Sequence, residues 1–285
     1  MSMGPPPGAI QNLPVLETAG AAYRSVFGQL PNLARVALLP FMLTTVLMVP
    51  TLAVGDNALL AALLNLLQLV PYTLFGVSWH RLILLGPQAA GAAVFPGWQP
   101  RHWRFYGYAL IITVLNLVLI HGVGLVTGGA PLDASGEIDS REIMKFLMAF
   151  LAGLLILTYV VLRLSFVFPA VSVDETYRLG HAWRHSRGQG LRLMATMFVT
   201  LGPALLAGWM VIGMVIAVLT GGGPPGPLTG ALAYLLLSAL GYVVLALSLS
   251  VISTAFRTCT GWIPGPPAGP PARVPGENEP FDGES

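Results

Sequence analysis

The chain has 285 residues, 55% of them hydrophobic and only 9% charged, and its mean hydropathy is +0.74. A soluble domain typically carries about 25% charged residues, so this composition excludes a water-coated globule and makes lipid the principal solvent. The net charge of +2 is uninformative as a total, the scattered cations match no nucleic-acid-binding pattern, and the single cysteine, Cys259, excludes a disulfide framework or a multi-cysteine metal site.

Residues 1–13, which include Gly4-Pro5-Pro6-Pro7-Gly8, read as a flexible N-terminus without the apolar core of a cleavable leader. Residues 14–260 follow as a membrane domain. Crossing a bilayer takes about 20 mostly apolar helical residues. Six stretches meet that length: 36–54, 58–78, 106–126, 146–168, 193–219 and 228–256. The first two are joined only by Gly55-Asp56-Asn57, which forces a hairpin. The loop at 127–145 is acidic, and the run 220–227, Thr-Gly-Gly-Gly-Pro-Pro-Gly-Pro, cannot be helical. Pro40, Pro50, Pro71 and Pro203 fall inside spans as kinks. Residues 261–285 form a Pro/Gly-rich tail, ending acidic, that reads as disordered.

The gaps between spans alternate in charge. Of the 13 arginines and one lysine, all but Arg141, Lys145 and the in-span Arg163 fall in the N-terminal segment, the second and fourth gaps, or the C-terminal end. Cytoplasmic loops carry the excess of positive charge. The expected fold is therefore an all-α, six-span membrane protein in three hairpins, with both termini cytoplasmic. The arginine-, alanine- and glycine-rich composition fits a GC-rich bacterial genome, hence a bacterial inner membrane.

An aromatic–arginine pair stands ahead of each odd-numbered span, at Tyr23-Arg24, Trp103-Arg104 and Trp183-Arg184, 80 residues apart. The first and third copies match further: Ala22, Gly28, Gln29 and Leu33 recur as Ala182, Gly188, Gln189 and Leu193. This predicts a tandem parallel repeat in which an interfacial surface helix precedes each hairpin. Ser172-Val173-Asp174-Glu175 has the Ser-x-x-Glu form of a capping box, so a helix is expected to start near Val173. It would carry Arg178, His181, Arg184, His185 and Arg187. Arg178, Arg184 and Arg187 are candidates for binding lipid or phosphate, with a plain topology anchor as the alternative. The His181/His185 spacing suits two metal ligands, but nothing nearby completes a set, so a solvated basic face is favoured.

Arg163 is the one arginine inside an apolar run. It is expected to snorkel or to pair with Glu17, Asp174, Glu175 or a lipid phosphate. Asn65, Gln68 and Asn116 fall in spans as intramembrane polar contacts, expected to hydrogen-bond between helices. The small-residue pairs Ala149/Gly153 and Ala204/Gly208 predict close helix approach. No intramembrane carboxylate, serine–histidine pair or P-loop stands in a catalytic setting, so no enzyme activity, cofactor or metal is expected.

The stretch Arg163-Leu-Ser-Phe-Val-Phe-Pro169-Ala170, followed by Ala182-Trp183-Arg184-His185-Ser186-Arg187-Gly188, resembles a bacterial multi-pass family related to the glycerophosphoryl diester phosphodiesterase membrane domain. In that family an Arg-x-x-Phe-x-x-Pro element leaves one span and an Ala-Trp-x-x-Ser/Thr-Arg-Gly element precedes the next. The N-terminal Glu17 and Tyr23 are similar to its first surface helix. The resemblance implies a six-span inner-membrane protein and no hydrolase activity, because the soluble phosphodiesterase domain is not represented. Two functions stay open: a non-enzymatic protein that organises or binds membrane lipids or partner proteins, including copies of itself, through basic surface helices; and a small-solute or lipid transporter lined by Gln68, Asn116 and Arg163.

Overall fold

The computed structural model describes residues 12–53, 57–87, 97–126, 140–221, 223 and 226–264. The N-terminal run before residue 12, most of the acidic loop and the tail beyond residue 264 lie outside these. The described elements are all helical: α1 (Val15–Phe27), α2 (Leu30–Ala53), α3 (Ala58–Leu85), α4 (Pro100–Val126), α5 (Ser140–Leu164), α6 (Val167–Ser172), α7 (Leu179–His185), α8 (Gly190–Thr220) and α9 (Pro227–Thr260).

Five of these, α2, α3, α5 with its α6 continuation, α8 and α9, contain stretches long and apolar enough to cross a membrane. The predicted third span, 106–126, lies within α4, a helix of 27 residues that is not among these five. Polar backbone in hydrocarbon must bond within its own segment, which is why these apolar runs form unbroken helices. The prolines do not break them, since Pro40 and Pro50 lie within α2, Pro71 within α3 and Pro203 within α8.

The long helices pack in chain order, α3 on α4, α4 on α5, α5 on α8 and α8 on α9, and α9 returns to α3 to close a ring. Helix α2 lies outside it against α3 and α9. The six-residue α6 is buried almost throughout and sits against α3, α4, α7 and α9, so it plugs one end of the ring. This is the arginine-bearing end. Trp79 and Phe75 of α3 are fully buried there and stack on one another, and Trp79 Nε1 donates to the Ala246 carbonyl (3.0 Å) and to Ser250 Oγ (3.0 Å) of α9. The His80 imidazole bonds Ser253 Oγ at 2.7 Å. Gly208 is a close-approach point, as its spacing predicts: a Cβ there would lie 2.5 Å from Leu240 of α9.

The 160-residue offset between the first and third repeat units is a backbone correspondence. Gln29 N–H donates to the Val26 carbonyl as Gln189 N–H does to Ser186 (3.4 and 3.1 Å). Leu33 N–H donates to Gln29 as Leu193 N–H does to Gln189 (2.9 and 2.8 Å). Ala22 and Ala182 are both fully buried. The middle unit departs from this pattern. Trp103-Arg104 stands on the first turns of α4 itself, and Tyr108 takes the place that Gly28 and Gly188 hold in the other two units.

Candidate functional site

Two arginine constellations occupy the plugged end. The first gathers around Asp174. Capping-box chemistry does not operate there: Ser172 ends α6, its Oγ bonding back to the Phe168 carbonyl (2.8 Å), and α7 starts six residues beyond Val173, at Leu179. The apolar run of α6 wins over the local cap signal because its burial in the ring fixes where the helix stops. Asp174 then takes a left-handed φ of 66°, held by its N–H to the Val171 carbonyl (3.1 Å) and by Glu175 N–H to Ala170 (3.0 Å).

That turn aims its carboxylate at three guanidinium groups from two other helices. Arg81 Nη1 reaches Oδ2 at 3.4 Å while donating to the Ser172 carbonyl at 3.0 Å; Arg101 donates to the same Oδ2; Arg104 Nη2 lies 3.7 Å from Oδ1. Arg101 is also held by Gln99 Oε1. Beside them the Gln99 N–H donates to His102 Nδ1 at 2.9 Å, and the His102 ring lies 5.3 Å from that of Trp98. Burial, reinforced by Arg101 and Arg81, holds the His102 pKa below its ordinary value. No local sequence signal joins residues 81, 101, 104 and 174; only the ring brings them together.

The second constellation centres on Arg163, which is buried. The carboxylate partners expected for it are engaged elsewhere or absent from its surroundings: Asp174 serves the three arginines, and Glu175 accepts from Trp262 Nε1 at 2.9 Å. Arg163 instead donates to the Trp183 carbonyl and to Ser186 Oγ (3.2 Å), and its guanidinium lies over the Trp183 ring, 3.6 Å from the centroid. Both acceptors belong to the C-terminal end of α7, where the helix dipole favours a cation. Arg163 thus fastens α7 to the bundle.

With α7 so held, Arg178, Arg184 and Arg187 are exposed and make no ion pair among the described residues. His181 and His185 both pack on Tyr177, whose hydroxyl lies 2.7 Å from His185 Nδ1, and burial pushes the Tyr177 pKa up to about 12. The two imidazoles are therefore absorbed in a ring stack. Cys259 is buried in α9.

The intramembrane amides do not gather. Asn65 and Asn116 are exposed, and Gln68 Oε1 is buried without a partner; none of the three hydrogen-bonds another described residue through its side chain. In a bilayer the first two would face lipid or a neighbouring protein. The chain matches no family model, no curated protein and no solved structure.

Proposed function

We propose that the chain is a six-span protein of the bacterial inner membrane, with both termini cytoplasmic, that binds anionic lipid headgroups through its arginine-bearing end and performs no chemistry of its own. The observation that carries this reading is the presentation of Arg178, Arg184 and Arg187, exposed and without an ion pair among the described residues, around a short helix that buried Arg163 fastens in place. Near an anionic leaflet each such cation contributes roughly 1 kcal/mol of attraction. Trp103 and Trp183 are exposed at the same end, where indole rings favour the headgroup layer.

Native mass spectrometry after mild detergent extraction tests the reading. The expected result is co-purifying anionic lipid that is lost in an Arg178→Ala/Arg184→Ala/Arg187→Ala variant; undiminished lipid in that variant overturns it. Topology is tested separately by a reporter fused at residue 135, which should be active only on the outer side. The transporter reading has no equivalent support, because Asn116 is exposed and Arg163 is spent on α7.

A further inference from the structure

Asp174 stands where an anionic ligand would. Three guanidinium groups meet one carboxylate, leaving a surplus of two positive charges. The Arg81 and Arg101 side chains are largely buried (21% and 17% exposed), whereas Asp174 is half-exposed at 51%, so the cluster opens outward at the carboxylate. A purely structural role explains only part of this. Arg81 caps the last turn of α6 through the Ser172 carbonyl, and one arginine suffices for that. Arg104 has no partner among the described residues except Asp174, at the long distance of 3.7 Å. A further donor goes unspent beside them: Trp98 Nε1 is buried with no acceptor among the described residues, on a ring 5.3 Å from both His102 and Trp103.

Holding two excess charges together in a half-buried setting is costly without an anion. Guanidinium forks match the oxygens of phosphate, and a phosphate monoester carries about −1.5 to −2 charges near neutral pH, which matches the surplus. A phosphodiester carries one charge and would leave the cluster cationic. We propose that Arg81, Arg101 and Arg104 form a binding site for a phosphate monoester, with Asp174 as a built-in carboxylate competing for the same donors. This deepens the lipid-binding reading and places a selective site at the entrance of α4, apart from the exposed arginines around α7.

The test uses the full chain in detergent, with dioleoyl phosphatidic acid as the monoester, dioleoyl phosphatidylglycerol as the diester, and inorganic phosphate as the free anion. Native mass spectrometry should show phosphatidic acid bound in preference to phosphatidylglycerol. Arg104→Gln should weaken phosphatidic acid binding about fivefold or more, and Asp174→Asn should strengthen it about tenfold, because a like charge is removed from the site. Asn is the chosen replacement because it tolerates the left-handed backbone of residue 174. Unchanged or weaker binding in Asp174→Asn, or unchanged binding in Arg104→Gln, overturns the site. If Arg178→Gln/Arg184→Gln/Arg187→Gln alone reduces lipid binding, the surface-helix reading stands and this one falls. Competition by inorganic phosphate, in an Arg104-dependent manner, supports the site with a soluble anion as its source; Arg104-dependent phosphatidic acid binding without such competition supports it with the lipid headgroup.

Discussion

The Arg163 guanidinium lies over the indole of Trp183, 3.6 Å from the ring centroid, and donates to the carbonyl of that same residue. One side chain thus holds both the ring and the backbone of α7. A desolvated cation–π contact contributes about 2 kcal/mol, and a hydrogen bond from a charged donor about 1.5–3 kcal/mol. Arg163→Ala should therefore destabilise the protein by about 3–5 kcal/mol, read as a lowered thermal midpoint in detergent with faster proteolysis around residues 173–189. Arg163→Lys keeps the charge but loses the planar fork, and should fall between the two. Equal stability of all three proteins would show that α7 is not held by this contact.

Gly190 makes the same region sensitive to a single methyl group. It opens α8 where the Tyr159 ring of α5 crosses, and a Cβ would meet that ring at 2.4 Å. Tyr159 also lies under Arg163, 5.7 Å from ring centroid to guanidinium, so the ring has little room to withdraw. Overpacking of this kind costs about 1–3 kcal/mol. Gly190→Ala should lower the thermal midpoint and should add little to Arg163→Ala, since both disturb one contact; additive losses in the double variant would separate them.

How much of this was legible beforehand follows from the range of each interaction. The apolar stretches at 36–54 and 228–256 are local signals, and they correspond to α2 and α9. The Gln29/Gln189 correspondence was readable because a repeat copies its local backbone bonds along with its residues. The Ser172–Glu175 segment was misread because a capping box is also local, whereas burial of Phe166, Val167 and Ala170 in the ring decides where α6 ends. The convergence of Arg81, Arg101 and Arg104 on Asp174 spans some 90 residues of sequence and carries no spacing rule. Asn65 and Asn116 look like interhelical glue in a one-dimensional reading, yet whether an amide faces a neighbour depends on helix rotation, which composition does not set.

The seam between α3 and α9 rests on Trp79. Its ring is fully buried and its Nε1 bridges Ala246 and Ser250 of the facing helix. Trp79→Phe keeps most of the volume and removes the bridge, for a loss of about 1–2 kcal/mol. Trp79→Ala also leaves a cavity and should cost about 3–5 kcal/mol. Thermal unfolding of both variants in one detergent gives the comparison. A Phe variant as damaged as the Ala variant would make the hydrogen bonds, not the packing, the main term.

His102 gives the basic cluster a pH response whose sign is fixed by its surroundings. Its Nδ1 accepts the Gln99 N–H and so must be unprotonated, and burial together with Arg101 and Arg81 lowers its folded pKa. Unfolded histidine takes up its proton near pH 6.5. Above that value both states are neutral and the contribution of His102 is complete. Below it the unfolded state binds the proton first, so stability falls as pH drops, by at most about 1.4 kcal/mol per pH unit, until the folded pKa is reached. The thermal midpoint should therefore decline between pH 7.5 and 5.5. In His102→Asn, whose side-chain oxygen can accept the same N–H, the decline should shrink. An identical pH slope in the two proteins would mean that His102 titrates normally and that the cluster tolerates a fourth positive charge.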